Sequence, residues 1–299
     1  GCHRARKARK GGTGMPLDAG EHYDRITGAW MEFMGDNFHF GYFEEGGEDI
    51  AKASERLVEK MLELVDLDEN SRVLDVGCGI GTPAFHIHRR FGCYVEGIST
   101  SRRGVEEANR RSRELGYSEK VRFRVADGQD NQSPDSSFDV VWIMEAAHLM
   151  FDKARLFTEC HRVLREGGLL VMCDIVTARL IPPHRGLWHF LRHLPAYYRL
   201  LKAWGPAQLP TLGNYVDRLV EAGFTRVLAL DITPYAAPTL SRWRENALPH
   251  VNSGVAGMSP REVKNFVRAC EILDSFFHGG IFGYGMIRAE KGKRLSPRN

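Results

Sequence analysis

The sequence predicts an α/β fold in which a parallel sheet has helices on both faces. Short apolar runs alternate with amphipathic segments from about residue 50 onwards, and the run at residues 72–76 ends in glycines. Alternation of this kind places successive strands parallel and covers the sheet with the connecting helices. The 299 residues, 43% of them hydrophobic, are ample for a sizeable core in one large domain or two small ones.

The spacing of apolar residues predicts each element in turn. Strands are expected at residues 72–76, 93–98, 121–126, 138–144, 168–174, 225–231 and 280–289. Helices are expected at 50–66, from the first glycines to residue 91, and at 102–115, 152–165, 213–222 and 259–275. The segment 177–212, rich in proline, aromatic residues and histidine, interrupts this rhythm and is interpreted as an inserted helical lid.

Charge and cysteine content exclude several classes of protein. The net charge is +3, but residues 1–14 hold five basic and no acidic residues, so the rest of the chain carries −2. We therefore expect no nucleic-acid partner; residues 1–14 are interpreted as a disordered tail or cloning remnant, with a nucleic-acid-binding arm as the alternative. No apolar run approaches the roughly 20 residues that span a bilayer. Six cysteines without a C-x-x-C pair predict no metal site and suggest a cytoplasmic location.

The strongest functional signal is a glycine turn after the first predicted strand. Asp75 precedes Gly77, Gly79 and Gly81, and glycines at such a turn let the backbone approach a ligand closely. The third glycine comes one residue too early for a dinucleotide fingerprint, and position 82 is threonine. Asp75 would repel a pyrophosphate and attract an ammonium group.

This D-x-G-C-G-x-G turn resembles the first motif of class I S-adenosylmethionine-dependent methyltransferases, and the resemblance extends over roughly residues 20–290. It implies a Rossmann-like, doubly wound sheet of seven strands, mostly parallel. It also implies S-adenosylmethionine as cofactor and S-adenosylhomocysteine as product. The expected domain spans residues 15–290, with an N-terminal helical cap at about 20–66, the lid at about 177–212, and a tail at 291–299.

The same resemblance assigns further cofactor contacts. The stretch Gly97-Ile98-Ser99-Thr100-Ser101 is similar to that of small-molecule enzymes related to the tocopherol and sterol methyltransferases, and it places Ser99 and Thr100 near the ribose. A helix N-cap is the alternative role for Ser99. Asp127, followed by Gly128, is implied to accept from the adenine amino group; a simple turn is the alternative.

The segment after the fourth predicted strand is expected to face the methyl group. It carries Glu145 and His148, an E-x-x-H pattern that this family is implied to share. A histidine can remove a proton near neutral pH, so His148 is the candidate base or substrate-orienting residue. Glu145 is a candidate for catalysis, for cofactor binding or for capping the next helix. Asp174, at the end of the fifth strand, is either a substrate contact or a turn residue.

Aromatic residues suggest the character of the substrate. Tyr23 and Trp30 would share one helix face near the cofactor, with core packing as the alternative. Trp188 and Tyr197 lie in the predicted lid, where they imply an apolar, aromatic or prenyl-bearing small molecule. A dimer contact is the alternative, so a homo-oligomer remains open.

Four functions stay open from the residues alone. The favoured one is methyl transfer to oxygen or nitrogen of a small natural product. C-methylation of an isoprenoid alkene through a carbocation is close behind, because aromatic rings stabilise cations. A nicotinamide reductase and a binding protein without activity are the remaining alternatives, the first of them disfavoured by the glycine spacing.

Overall fold

A computed structural model describes residues 39–178 and 183–292, without the side chains of residues 183–192 and 202. Its centre is a seven-stranded sheet in the order β3-β2-β1-β4-β5-β7-β6. Only β7 runs antiparallel to its neighbours in this sheet, which confirms the predicted α/β, mostly parallel fold. The strands are β1 (Arg72–Val76), β2 (Tyr94–Ser99), β3 (Val121–Val125), β4 (Phe138–Met144), β5 (Leu164–Thr177), β6 (Phe224–Asp231) and β7 (Phe282–Lys291).

Nine α-helices lie in the described part of the chain. They are α1 (Ile50–Leu62), α2 (Thr82–Phe91), α3 (Arg102–Glu114), α4 (Lys153–Val163), α5 (Pro183–Trp204), α6 (Leu212–Glu221), α7 (Thr233–Ala236), α8 (Thr239–Ala247) and α9 (Pro260–His278). Two 3-10 turns, Ala147–Leu149 and Leu248–His250, complete the set. None of the described helices has the length and apolar character needed to cross a bilayer.

Local sequence explains where several helices begin. Asp49 accepts a hydrogen bond from the amide of Lys52 and so caps α1. Thr211 and Ser259 each form a reciprocal capping box at the start of α6 and α9. Such caps satisfy backbone amides that have no partner within the first turn of a helix.

The sheet is buried on both faces, as expected for parallel strands. Alternate residues of the central strands enter two separate apolar clusters. Val73, Trp142 and Val171 belong to one, and Leu74, Val141 and Leu170 belong to the other. Helices α1, α2, α3, α8 and α9 supply residues to the first cluster, whereas α4 and α6 supply the second.

The order in which successive strands are added to the sheet reverses between the parallel neighbours β1 and β4. From β1 the chain proceeds to β2 and β3 on one side, whereas β4 and β5 lie on the other. The chain therefore leaves β1 and β4 towards opposite sides of the sheet, and the carboxyl edge at such a switch point is where open α/β sheets bind ligands.

Two features differ from the sequence prediction. Strand β5 begins at Leu164, whereas the prediction continued the preceding helix to residue 165 and began this strand at 168. The pairing shifts from Phe138–Leu164 to Val140–Leu169, so the Gly167-Gly168 pair is absorbed as an irregularity within the strand. Helices α7 and α8 were not predicted, because both are short.

The segment interpreted as a lid contains α5, which follows β5 and contacts α9. The rings of Tyr197 and Phe276 are 5.4 Å apart, and those of Trp204 and Phe266 are 5.2 Å apart. Residues 205–211, which we call the strap, then connect α5 to α6. Thr177 holds the strap to the end of β5, since its amide donates to the carbonyl of Pro210 and its hydroxyl to that of Leu209.

Candidate active site

A cavity of about 470 Å³ opens at the carboxyl edge of the sheet. This volume is within the range of small-molecule sites. Its walls come from the residues that follow β1, β2, β3 and β4, together with segments from outside the sheet. The predicted candidates that border it are Asp75, Gly77, Gly79, Ser99, Thr100, Asp127, Gly128, Glu145 and His148.

The glycine turn after β1 approaches the turn after β4 very closely. Gly77 has a φ of 88°, and a β-carbon there would lie 2.2 Å from Cβ of Ala146. Gly79 has a φ of 53°, but a β-carbon there would meet nothing within 4 Å. Gly77 is therefore required by packing, whereas Gly79 leaves space at the cavity wall.

Gly81 does not border the cavity, in contrast to its expected cofactor role. It adopts a φ of 84° as the N-cap of α2, and a β-carbon there would lie 2.6 Å from the ring of Phe123. Its contribution is to shape the turn and admit that ring, because only glycine tolerates both conditions.

Asp75 is a buried carboxyl group at the cavity wall. The residue is 2% exposed, and its Oδ2 atom has no hydrogen-bond partner. Burial raises the pKa of Asp75 to about 7. An unpartnered buried acceptor is costly, so this atom is suited to a ligand that donates hydrogen bonds.

The polar stretch after β2 also borders the cavity. The N-cap of α3 is Ser101, whose hydroxyl accepts from the amide of Gly104 at 2.9 Å. The alternative role of Ser99 as N-cap is therefore wrong. Ser99 Oγ instead accepts from the amide of Ser101 at 3.2 Å, and Ser99 and Thr100 both border the cavity.

The turn after β3 brings Asp127 and Gly128 to the same wall. Asp127 accepts from the amide of Gln129 at 2.9 Å, so it does stabilise a turn as the alternative suggested. It is nevertheless exposed along the cavity. A β-carbon at Gly128 would lie 2.6 Å from a methyl group of Val76, which holds this turn close to β1.

Glu145 connects three separate parts of the chain. Its Oε1 accepts from the amide of Phe40 at 2.7 Å and from the hydroxyl of Tyr284 on β7. Burial raises the pKa of Glu145 to about 8. The residue has a backbone φ of 50°, a conformation that residues other than glycine rarely adopt. It does not cap the next helix, because the N-cap there is Ala146.

His148 lies in a 3-10 turn beside the cavity and is buried with Asp174. Its Nδ1 is 2.6 Å from Oδ1 of Asp174, and its amide donates to Oδ2 at 2.8 Å. Burial lowers the pKa of His148, but the charge and hydrogen bond of Asp174 outweigh it, so that the pKa is raised. The contact with Asp174 makes Nδ1 the donor and leaves Nε2 to accept a proton.

Asp174 has neither of the roles expected from its sequence position. It lies within β5 rather than in a turn, and it does not border the cavity. Besides His148, it accepts from the amide of Ile175 and, at 3.1 Å, from the hydroxyl of Tyr215. Sequence reasoning missed the pairing, although His148 follows β4 and Asp174 lies in the neighbouring strand β5.

A second part of the cavity lining is apolar, and most of it was not predicted from the sequence. Phe40 contacts the edge of Trp243 with ring centroids 5.0 Å apart, and Trp204 lies 5.5 Å from the same indole. Other residues of this wall are His39, Ile175, Pro206 and Leu273. Burial lowers the pKa of His39 to about 4 and keeps its ring neutral.

The aromatic residues chosen from the sequence do not form this wall in the described part of the chain. Tyr197 contacts Phe276 instead of bordering the cavity. The side chain of Trp188 and the whole of Tyr23 and Trp30 lie outside the described residues. Within residues 39–178 and 183–292, no group of three or more His, Cys, Asp or Glu could hold a metal ion.

Comparison with known proteins decides the family. A model described as "Methyltransferase domain" matches residues 67–223, which contain the glycine turn, His148 and Asp174. The chain belongs to the class I S-adenosylmethionine-dependent methyltransferases. The resemblance inferred from the sequence, the cofactor and action on small molecules are confirmed, and a nicotinamide reductase is not supported.

Three relatives show how far the similarity extends. The methyltransferase is 31% identical over 245 residues to 27-O-demethylrifamycin SV methyltransferase of Amycolatopsis mediterranei, covering 80% of this chain and 87% of that protein. It is 26% identical over 276 residues to (+)-O-methylkolavelool synthase of Herpetosiphon aurantiacus, covering 92% and 93%. The crystal structure of the [4+2]-cyclase SpnF superposes with a TM-score of 0.78 at 26% identity, covering 94% and 100%.

The residues of this methyltransferase fit its cofactor. S-adenosylmethionine carries an ammonium group, and Asp75 offers a buried oxygen without a partner. The backbone beside Gly79 is open to the cavity, as a group that approaches the main chain requires.

Proposed function

We propose that this enzyme methylates an oxygen or nitrogen atom of a small, largely apolar molecule, with His148 removing the proton from that atom. The His148–Asp174 pair beside the cavity carries the proposal, because its geometry leaves one ring nitrogen to accept a proton. Oxygen is the favoured atom, since one relative that aligns over most of the chain is named for an O-demethyl compound that it methylates and another is named for an O-methyl product.

We assign the polar wall of the cavity to the cofactor. S-adenosylmethionine supplies, when bound, a methyl group activated by a positively charged sulfur. Asp75 is assigned to its ammonium group, because the buried Oδ2 needs a donor and opposite charges attract. The remaining contacts are assigned to Gly77, Gly79, Ser99, Thr100, Asp127, Gly128 and Glu145, which border the same space.

His148 can act as a base only in its neutral form. Asp174 orients the ring through Nδ1 and stabilises the imidazolium that forms when Nε2 takes a proton. The same carboxylate raises the pKa of His148. Turnover should therefore decline as the pH falls through this raised value, because protonated His148 has no nitrogen left to accept a proton.

The apolar wall supports a substrate with an extended hydrophobic part. Phe40, Trp204 and Trp243 offer aromatic surface on which rings or branched hydrocarbon chains can pack. The indole nitrogen of Trp243 is buried without a hydrogen-bond partner. It would favour a substrate that presents an oxygen atom within this otherwise apolar part.

C-methylation of an alkene is the second candidate, favoured by the same aromatic wall. Addition of a methyl cation to an alkene carbon leaves a carbocation, which the ring faces of Phe40 and Trp243 would stabilise. Glu145 borders the cavity and could accept the proton lost at the end. The two candidates are distinguished by the atom that carries the new methyl group, which is oxygen or nitrogen in the first and carbon in the second.

The deciding experiment combines product identification with a variant of His148. Candidate apolar alcohols, phenols, amines and alkenes are incubated with enzyme and methyl-labelled cofactor, and the products are analysed by mass spectrometry and NMR. For a methylated alcohol, H148N should lower kcat by about 10²- to 10⁴-fold, the usual contribution of a general base. The Kd for S-adenosylhomocysteine should remain within about threefold, a change below about 0.7 kcal/mol, because His148 is not among the residues assigned to the cofactor.

The matched control is H278N, since His278 lies exposed at the end of α9. This variant should leave kcat unchanged. Undiminished turnover in H148N would exclude His148 as the base. A methyl group on carbon would instead establish the second candidate.

A further inference from the structure

Lys153 is a buried cation next to the proposed catalytic histidine. The residue is 6% exposed and is the first residue of α4. Its Nζ donates to the carbonyl oxygen of Met150 and, at 3.2 Å, to Oε1 of Gln208. Both partners are neutral oxygens, and burial lowers the pKa of Lys153 to about 8. Burial of an ammonium group without a carboxylate partner is unfavourable, which suggests a specific role.

The partners of Lys153 connect the strap to the turn that carries His148. The amide of Gln208 donates to the carbonyl of His148 at 2.8 Å, so the strap contacts that turn directly. Lys153 adds a second connection, from the carbonyl of Met150 to the side chain of Gln208. Pro206, in the same strap, borders the cavity. The strap therefore contacts the substrate space and the proposed base at once.

We propose that Lys153 is a positioning residue for His148, which holds the His148 turn against the strap and places a positive charge near the imidazole. This inference rests on the proposed function, in which His148 is the base. In this proposal Gln208 is the residue of the strap that accepts the hydrogen bond from Lys153. The apolar substrate would then be enclosed by the same segment that holds the base.

The charges around His148 make the role of Lys153 specific. The charged or titratable groups that act on the ring are Asp174 from β5, Glu145 from the turn after β4 and Lys153 from α4. Tyr215 from α6 donates to Asp174, and Tyr284 from β7 donates to Glu145. The two carboxyl groups raise the pKa of His148, whereas Lys153 lowers it. Lys153 thus opposes protonation of the ring and preserves its proton-accepting form.

The test uses the full chain loaded with S-adenosylhomocysteine and needs no methyl acceptor. NMR follows the ring signals of His148 against pH, assigned by their absence in H148N. K153M keeps the length of the side chain but removes its charge, so the midpoint of His148 should rise by at least about 0.3 pH unit. Q208A removes one hydrogen bond and leaves the charge, so this midpoint should stay unchanged.

Hydrogen exchange tests the mechanical part of the same proposal. The amide of Gln208 donates to His148, and its exchange should accelerate at least about fivefold in K153M, because the strap loses its second connection. The amide of residue 208 should also exchange faster in Q208A. K153R, which retains a positive charge, should leave the His148 midpoint unchanged.

Each result supports or overturns the proposal. An unchanged His148 midpoint in K153M, or unchanged exchange at residue 208 in both variants, would refute it. If K153M does not fold, a shifted midpoint in K153R or unaltered exchange in Q208A refutes it instead. Full turnover in H148N would defeat the proposed function. This outcome can be distinguished from failure of the Lys153 inference, because neither the His148 midpoint nor the exchange rate at residue 208 depends on catalysis.

Discussion

The two walls of the cavity are built from different kinds of sequence. The wall at the ends of β1, β2 and β3 consists of short segments that end these strands or directly follow them, within residues 75–80, 98–101 and 126–129. The second wall combines Phe40, Trp204, Trp243 and Leu273, which are separated by up to 233 positions in the chain. The first wall depends on local backbone conformation, whereas the second depends on how distant helices pack.

This difference separates two functions that one cavity must perform. Glycines and small polar residues at the first wall suit a ligand that is recognised through the backbone and a few hydrogen bonds. Large apolar side chains at the second wall suit recognition by shape and buried area. Substitutions at the first wall should therefore change cofactor affinity, and substitutions around His148 should change turnover.

The largest expected effect is at Gly79. In G79V the new side chain would project from a backbone that borders the cavity and would occupy space assigned to the cofactor. We expect the affinity for S-adenosylmethionine to fall at least about 1000-fold, equivalent to about 4 kcal/mol. Isothermal titration calorimetry measures this loss directly.

A matched control removes the effect of backbone strain. Gly46 is also exposed, has a φ of 74° and has no neighbour within 4 Å of a β-carbon, but it does not border the cavity. G46V carries the same strain and should bind the cofactor normally. Normal affinity in G79V would break the assignment of this wall to the cofactor.

A smaller effect, on turnover rather than on cofactor affinity, is expected at Asp174. D174N keeps the shape of the side chain but removes the charge that orients and stabilises His148. We expect kcat to fall about 100-fold. The Kd for S-adenosylhomocysteine should stay nearly constant. The acidic limb of the pH profile should move to lower pH, because the negative charge of Asp174 raises the pKa of His148.

Y215F is the matched control for this substitution. It removes one hydrogen bond to Asp174 without changing any charge at the site. Its kcat should fall less than tenfold, and its pH profile should not move. A fall in Y215F equal to that in D174N would mean that the effect is structural, and melting curves of both variants would then show equal destabilisation.

Most residues predicted for the first wall border the cavity, because their signals in the sequence are local. Gly77 and Gly79 are required by backbone geometry, and a reader of one sequence can see such a requirement. The sheet order could also be anticipated, since alternating strands and helices restrict the connections. Ser99 shows how far such reasoning can be off, because the N-cap of α3 is Ser101, two residues beyond the position considered from the sequence.

The second wall and the His148–Asp174 pair could not be read in the same way. Trp243 reaches the cavity because α8 and α9 pack over α5 and the sheet, and no local spacing encodes that arrangement. Asp174 occupies an apolar strand where an isolated carboxylate is unfavourable, and this is a signal in itself. A buried acid needs a partner, and neighbouring strands β4 and β5 bring His148 to it.

The smallest effect concerns the pH dependence of cofactor affinity. Burial raises the pKa of Asp75 to about 7, so without ligand its carboxyl group is mostly protonated at pH 6 and mostly ionised at pH 8. An ammonium group is bound by the ionised form, because the protonated form has no charge to offer. Affinity should therefore rise with pH, by about tenfold between pH 6 and pH 8, and binding at pH 6 should release a proton. Calorimetry in two buffers of different ionisation enthalpy measures both quantities.

D75N distinguishes this acid from Glu145, whose pKa burial also raises, to about 8. If Asp75 meets the ammonium group, D75N should bind more weakly at pH 8 and lose the tenfold dependence, while E145Q should keep most of it. An unaltered pH dependence in D75N together with a flat one in E145Q would move the ammonium site to Glu145. That outcome would place the ammonium group of the cofactor against the turn after β4, next to the aromatic wall. Cofactor binding and substrate binding would then no longer be assigned to separate walls.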